Sequence, residues 1–371
     1  MKQSNVVRVT GSAVVIGVVI AGAAGPAYAS TATQVPVQST GFFGGFNDVT
    51  AVSATDGWAV GGNGNGFVQR FNGTRWNVVA SPDLLGGGAN TFAMLSGVDA
   101  TPASTVFAAG YASGSDGKAA VALRWNGSAW SRLTVPRTAG TNTSFRSVKA
   151  FSDQDVWAVG DTSTSSVAKT LAMHYNGTTW THPSTPSPGT RNNTVTSVDG
   201  SGPRDVWVAG YSLNLPYGNR IRQSMMLHWS GTAWSQVPSP NNGSTYLFDV
   251  ASVSATDAWA VGSGSTGAFV IRWNGTAWNT VSAPPLGNLS SVTARSSSDV
   301  WVAGGDTVGA PALAHWNGTS WSVIPVSVSG GVGAPGLTAI TVANATTELA
   351  VGYQADGTTG QSSSIGFRVV G

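Results

Sequence analysis

The segment Asp155-Val-Trp-Ala-Val-Gly160 recurs along the chain as Asp205 to Gly210, Asp257 to Gly262, Asp299 to Gly304 and, with Gly57 in place of Val, Asp56 to Gly61. Thr105 to Gly110 and Thr347 to Gly352 are weaker copies. The aromatic or Leu position thus runs Trp58, Phe107, Trp157, Trp207, Trp259, Trp301 and Leu349, at spacings of 49, 50, 50, 52, 42 and 48 residues. A period of this length marks one supersecondary unit per repeat, each needing its neighbours to cover its apolar faces.

Within the repeat the patterning is that of strands. Nine residues before each aromatic stands Val49, Val98, Val148, Val198, Val250, Val292 or Ile340, and two residues later comes Ala51, Ala100, Ala150, Gly200, Ser252, Ala294 or Val342. This period of two predicts a first strand, its small residues suiting an innermost position where seven strands crowd one axis. The hexapeptide is the second strand, and its Gly is expected to end it. A third strand runs into Phe71-Asn-Gly-Thr-x-Trp76 and its counterparts ending at Trp130, Trp180, Trp234, Trp278 and Trp321. Asn-Gly between apolar runs signals a tight hairpin, because both residues tolerate positive φ. The fourth strand carries Trp and then Val-Pro, as in Trp234 to Pro238, and a Pro there fits an outer edge.

Repeat seven stops at Phe367 to Gly371, without the Asn-Gly turn or a fourth strand. The segment Ala32-Thr-Gln-Val-Pro36 matches Trp234-Ser-Gln-Val-Pro238 and supplies the missing piece. The expected fold is therefore all-β: a seven-bladed β-propeller of four-stranded antiparallel blades over residues 30–371, with Ala32 to Val37 closing the last blade against Ile365 to Val369.

Apolar strand, Val-Gly-Gly, Tyr or Trp, a turn, Trp and Val-Pro together resemble a kelch repeat of the secreted bacterial type, although the Gly doublet occurs only at Gly61-Gly62 and Gly304-Gly305. Kelch-like propellers include intracellular adaptors and the copper enzyme galactose oxidase, and similar Trp-rich propellers are lectins. The resemblance implies the fold strongly and the function weakly.

Lys2 and Arg8, an apolar run from Ala13 to Ala24, and Ala27-Tyr28-Ala29 read as a signal peptide over residues 1–29, cleaved before Ser30. A secreted, extracellular protein without membrane insertion is expected. Cleavage would remove two of 18 basic residues and leave 16 against 16 acidic ones, so neither nucleic acid nor an anionic membrane is an expected partner. Cysteine is absent, which removes disulfides, thiolate metal sites and a Cys nucleophile, including the Cys-linked Tyr of galactose oxidase.

The remaining candidates for chemistry are few. The repeated Asp56, Asp155, Asp205, Asp257 and Asp299 read as turn caps that bond nearby backbone N–H groups. Arg70, Arg124, His174, His228, Arg272 and His315 precede the turns at equivalent positions and read as partners of that Asp or of a Trp. Glu348 is the one Glu and sits in a strand, no Gly-x-Ser-x-Gly elbow occurs after the leader, and no metal-ligand spacing is present. Neither catalysis nor a cofactor is expected. The loops after the second strand and between blades share one face and carry Tyr111, Tyr211, Tyr217, Arg220, Tyr246 and Tyr353. These are the candidate ligand-binding residues, for a protein or surface polymer, or alternatively for carbohydrate as a multivalent lectin. A monomer is expected.

Overall fold

Val156, Trp157, Ala158 and Val159 are all buried, on both faces of their strand. Such a strand needs a sheet on either side of its own, and the ring of blades provides it. The computed structural model describes residues 30–371 apart from 41–43, 63, 86–89, 138–139, 165–166, 214–220, 242, 330–333 and 356–361. The leader expected over residues 1–29 lies outside the described residues.

The described strands form seven four-stranded antiparallel sheets. Six follow chain order, at residues 46–79, 90–133, 142–181, 193–237, 246–280 and 288–325 (blades 1 to 6). Blade 7 joins residues 335–370 to Thr31–Val35 as its outermost strand. Each apolar cluster is shared between adjacent blades. Trp58 and Val60 of blade 1 meet Leu123 and Trp130 of blade 2, and Leu349 and Val351 of blade 7 meet Phe71 and Trp76 of blade 1. The protein is a closed seven-bladed β-propeller.

The seam pairs Ala32 with Val369 as expected, but the strand's bounds are Thr31–Val35 rather than Ala32 to Val37. Thr31 pairs with Val370 and Val35 with Gly366. The strand stops at Val35 because Pro36 has no N–H to continue the ladder. The chain then crosses to blade 1. Trp76 N–H donates to Pro36 O at 2.9 Å, Gln38 N–H to Trp76 O at 3.0 Å, and buried Gln69 donates Nε2–H to Gln38 O at 2.9 Å. The N-terminal segment thus fastens both blades that flank the seam.

Two sequence expectations are corrected locally. The hexapeptide Gly ends the second strand only in blade 1, at Gly61; elsewhere the strand runs on, in blade 3 as Asp155–Ser163. Gly160 is required by close approach: a Cβ there would stand 1.9 Å from Ser144 O, where the first strand bulges between Phe145 and Ser147. In the Asn-Gly turns only Gly takes positive φ, at 93° for Gly73. Asn72 acts through its side chain, whose Oδ1 accepts from the N–H groups of Thr74 and Arg75 at 3.1 and 3.0 Å.

The innermost strands face the central channel with an unpaired edge, and side-chain oxygens from the preceding blade satisfy it. Val98 N–H donates to Asp48, Ala150 N–H to Asp99, Val198 N–H to Ser147, Ser252 N–H to Asp199, Val292 N–H to Asp249 and Ile340 N–H to Ser291, at 2.7–3.3 Å. Every bond runs in the same direction around the ring.

Candidate functional site

The face bearing the Asn-Gly turns is built by repetition. His174 Nε2 lies 2.8 Å from Asp155 Oδ1, His228 2.7 Å from Asp205 and His315 2.9 Å from Asp299. Arg70 and Arg272 bind Asp56 and Asp257 through two nitrogens each. Blade 2 has Thr105 in place of the Asp, so Arg124 reaches Asp153 of blade 3 at 2.6 Å. Each of these side chains also lies on the aromatic ring of the second strand, His228 on Trp207 at 4.3 Å and Arg272 on Trp259 at 4.8 Å. That ring in turn packs on the next blade, Trp207 against Trp273 at 4.9 Å and edge-on to Trp278 at 5.0 Å.

The expected pairing of the basic residues is therefore present, whereas the repeated Asp does not cap its own turn. Its carboxylate is used by the Arg or His opposite, and with Arg the bond gains from both partners being ionised. Burial works against Asp205, but the bonds from His228 and Ser201 hold its pKa below the ordinary value. Glu348 belongs to the same system. It is fully buried and paired with Arg295 of blade 6, which also holds Asp299 at 3.1 Å, and burial pushes its pKa up to about 7.

The opposite face, bearing the loops, is less regular, with Tyr following the hexapeptide Gly only in blades 2, 4 and 7. Tyr211 and Tyr246 meet edge-on at 5.1 Å, and Tyr246 stacks on Phe248 at 6.0 Å. Arg222 lies 4.8 Å over Tyr246 and 5.9 Å from Tyr211, and donates from Nη1 to the Tyr246 hydroxyl. On blade 2, Tyr111 stacks on Phe92 at 5.9 Å beneath Lys118 at 4.7 Å. Arg146 of blade 3 stands between the two groups and holds Asp161 at 3.0 Å. Burial works against its charge, but Asp161, Tyr211 and Tyr111 together raise its pKa. Arg146 and Phe248 also line a cavity of about 90 Å³ at this mouth of the channel.

The structure thus brings Tyr111, Tyr211 and Tyr246 into one arc across blades 2 to 5. Tyr353 is separate on blade 7, 40% exposed and laid across Gly45 and Gly336. Tyr217 and Arg220 lie outside the described residues.

Below the mouth, sequence reasoning missed a set of channel residues. Lys149 Nζ sits 2.8 Å from Asp199 and 3.6 Å from Asp99. Asp249 accepts from Ser197 and Ser291 at 2.6 and 2.7 Å. They line a cavity of about 270 Å³ with Asp48. Burial, helped by the nearby Asp249 charge, pushes Asp48 up to about 8 against the bond from Val98. Burial also raises Asp99 and Asp249. Asp199 and Asp99 hold the Lys149 pKa above the lysine value despite burial. The available signal was a charged residue directly beside the first-strand Val in five repeats: Asp48, Asp99, Lys149, Asp199 and Asp249. Among the described residues no group of three or more His, Asp or Glu is arranged to hold a metal, and no helix is long and apolar enough to cross a membrane.

Comparison with known proteins gives the fold and no family. No family model matches the chain, and no curated protein matches it. Among solved structures it is similar to YCF48 bound to D1 peptide, with 16% identity, TM-score 0.58, and coverage of 93% of this chain and 97% of that one. YCF48 from Cyanidioschyzon merolae gives 19% identity and TM-score 0.57, covering 91% and 98%. The WD40 β-propeller domain of Doa1 gives 10% identity and TM-score 0.57, covering 91% and 96%. Likeness at these identities is likeness of fold.

Proposed function

We propose that this protein is a secreted, non-enzymatic binding scaffold that holds a protein partner on its loop face. The observation that carries this reading is the single arc of Tyr111, Tyr211 and Tyr246 with Arg146 and Arg222, confined to one side of one channel mouth. Aromatic and Arg side chains are the usual anchors of protein interfaces, and an unrepeated cluster suits one extended partner. A fold neighbour whose structure holds a bound peptide supports the same direction. Export rests on Lys2, the apolar run and Ala27-Tyr28-Ala29. The kelch-like character of the repeats agrees with a scaffold, and the carboxylates of raised pKa are committed to lacing strands rather than to a reactive centre.

A multivalent lectin would need equivalent open sites between blades. The repeat-equivalent Trp58, Trp157, Trp207, Trp259 and Trp301 are instead at most 2% exposed, which closes those positions to a sugar. The test compares wild type with Tyr211→Ala/Tyr246→Ala on a displayed peptide library and on a glycan array. Peptide binding that falls about tenfold or more in the variant, a loss of the size expected for interface anchors, supports the reading. Several equivalent glycan sites unaffected by the variant overturn it.

A further inference from the structure

The chain is close to neutral, yet its charges are not evenly placed. Lys118, Arg137, Arg146, Lys169, Arg191 and Arg222 all lie at the loop face of blades 2 to 4, with only Asp116 and Asp161 as acidic neighbours among the described residues there. On the remaining blades the described residues of this face include Asp83 and Asp306 and no Lys or Arg. The turn face has no such surplus, because its repeated Arg and His residues are matched by repeated carboxylates.

We propose that the partner engages this face through an acidic, extended segment, its carboxylates on the cations of blades 2 to 4 and its apolar side chains on the tyrosines. This deepens the binding-face reading and rests on it. Two features favour it. Lys118 and Arg222 are already laid on Tyr111 and Tyr246, so their ordering entropy is largely spent before the partner arrives. A guanidinium held by its face on a ring keeps edge N–H groups for a carboxylate, in the fork geometry that pairs two bonds at once.

A nucleic acid fits less well. Its charge is dense and continuous, about one per 1.7 Å of duplex. Here the cations are interrupted by Asp161 and lie on discrete side chains spread over three blades. A peptide can space its acids to match and place amide or apolar groups over the mouth.

The experiment pans a random peptide display library against the full chain and measures the enriched peptides by fluorescence anisotropy. The expected result is a clear excess of Asp and Glu in the enriched set. Affinity should fall about tenfold or more between low and moderate salt, and by a similar factor in Lys118→Glu/Arg222→Gln. Melting temperatures are recorded alongside, and Arg132→Glu, exposed on the outermost strand of blade 2, serves as a charge control that leaves binding unchanged. Enriched peptides that lack acidic excess but still need Tyr211 and Tyr246 overturn the acidic-segment inference and leave the binding face standing. Peptides insensitive to both sets of variants, or no enrichment at all, overturn both. Preference for a single-stranded oligonucleotide over the acidic peptides assigns the cations to another class of partner and also overturns the inference.

Discussion

The two faces of the ring use the same residue types to opposite ends. On the turn face, Arg or His, Asp and an aromatic ring recur at equivalent positions, each basic side chain between a carboxylate and a ring, as His228 is between Asp205 and Trp207. On the loop face, Arg222 and Lys118 also lie on aromatic rings, but the rings are tyrosines, the arrangement is confined to blades 2, 4 and 5, and carboxylates are scarce. Repetition marks what every blade interface needs for packing. The loop-face rings touch one another across blades, as Tyr211 does Tyr246, yet remain partly exposed at the rim where a partner can reach them.

The largest test of that contrast sets Trp207→Ala against Tyr211→Ala, four residues apart on one strand. Trp207 is 1% exposed and packed on the next blade, so truncation leaves a cavity and should cost about 3–5 kcal/mol. Tyr211 is half-buried at the rim, and its truncation should cost about 1 kcal/mol or less. Equilibrium denaturation measures both, and equal losses would dissolve the distinction between the faces.

A second test concerns the channel that joins them. Asp48 is raised to about 8, Asp99 and Asp249 are raised as well, and Glu348, held with Arg295 on the turn face, is raised to about 7. In each case the folded protein holds the proton more tightly than the unfolded chain. Their contribution is therefore complete below the unfolded carboxylate pKa near 4 and declines as pH rises through the folded values. Asp205 and Asp299 are lowered and lose their contribution only as pH falls below about 4. The melting temperature should thus be higher at pH 5 than at pH 8.5, with a smaller difference in Asp48→Asn. A stability that rises between those pH values would contradict the upward shifts of these buried carboxylates.

The smallest effect sharpens the comparison on the turn face itself. His228→Ala removes a bond to an ionised carboxylate and a ring contact, and should cost about 1–3 kcal/mol. His182→Ala, exposed in a loop, should leave the denaturation midpoint unchanged. Peptide binding by both variants should match wild type. A binding defect in His228→Ala without loss of stability would move function onto the turn face.

Much of this molecule was legible before any coordinates. The aromatic series from Trp58 to Leu349, the Val nine residues earlier and the Asn-Gly turns determined seven blades of four strands, because strand period, turn chemistry and burial act locally and repeat. The unpaired end of repeat seven and the spare strand at Ala32 determined the closure. The partners of the repeated cations were also readable, since neighbouring antiparallel strands place them side by side.

Only the tertiary structure decided the rest. That Pro36 and Gln38 fasten blade 1, that Arg124 takes its carboxylate from blade 3, and that the hexapeptide Gly accommodates a bulge all depend on chain segments far apart in sequence. The same holds for the candidate site. Tyr111, Arg146, Tyr211 and Tyr246 come from blades 2, 3, 4 and 5 and become neighbours because the ring turns their strand ends toward one mouth. A repeat fixes what each blade is. The curvature of the closed ring fixes which unrepeated residues face one another, and the period of the sequence carries no record of it.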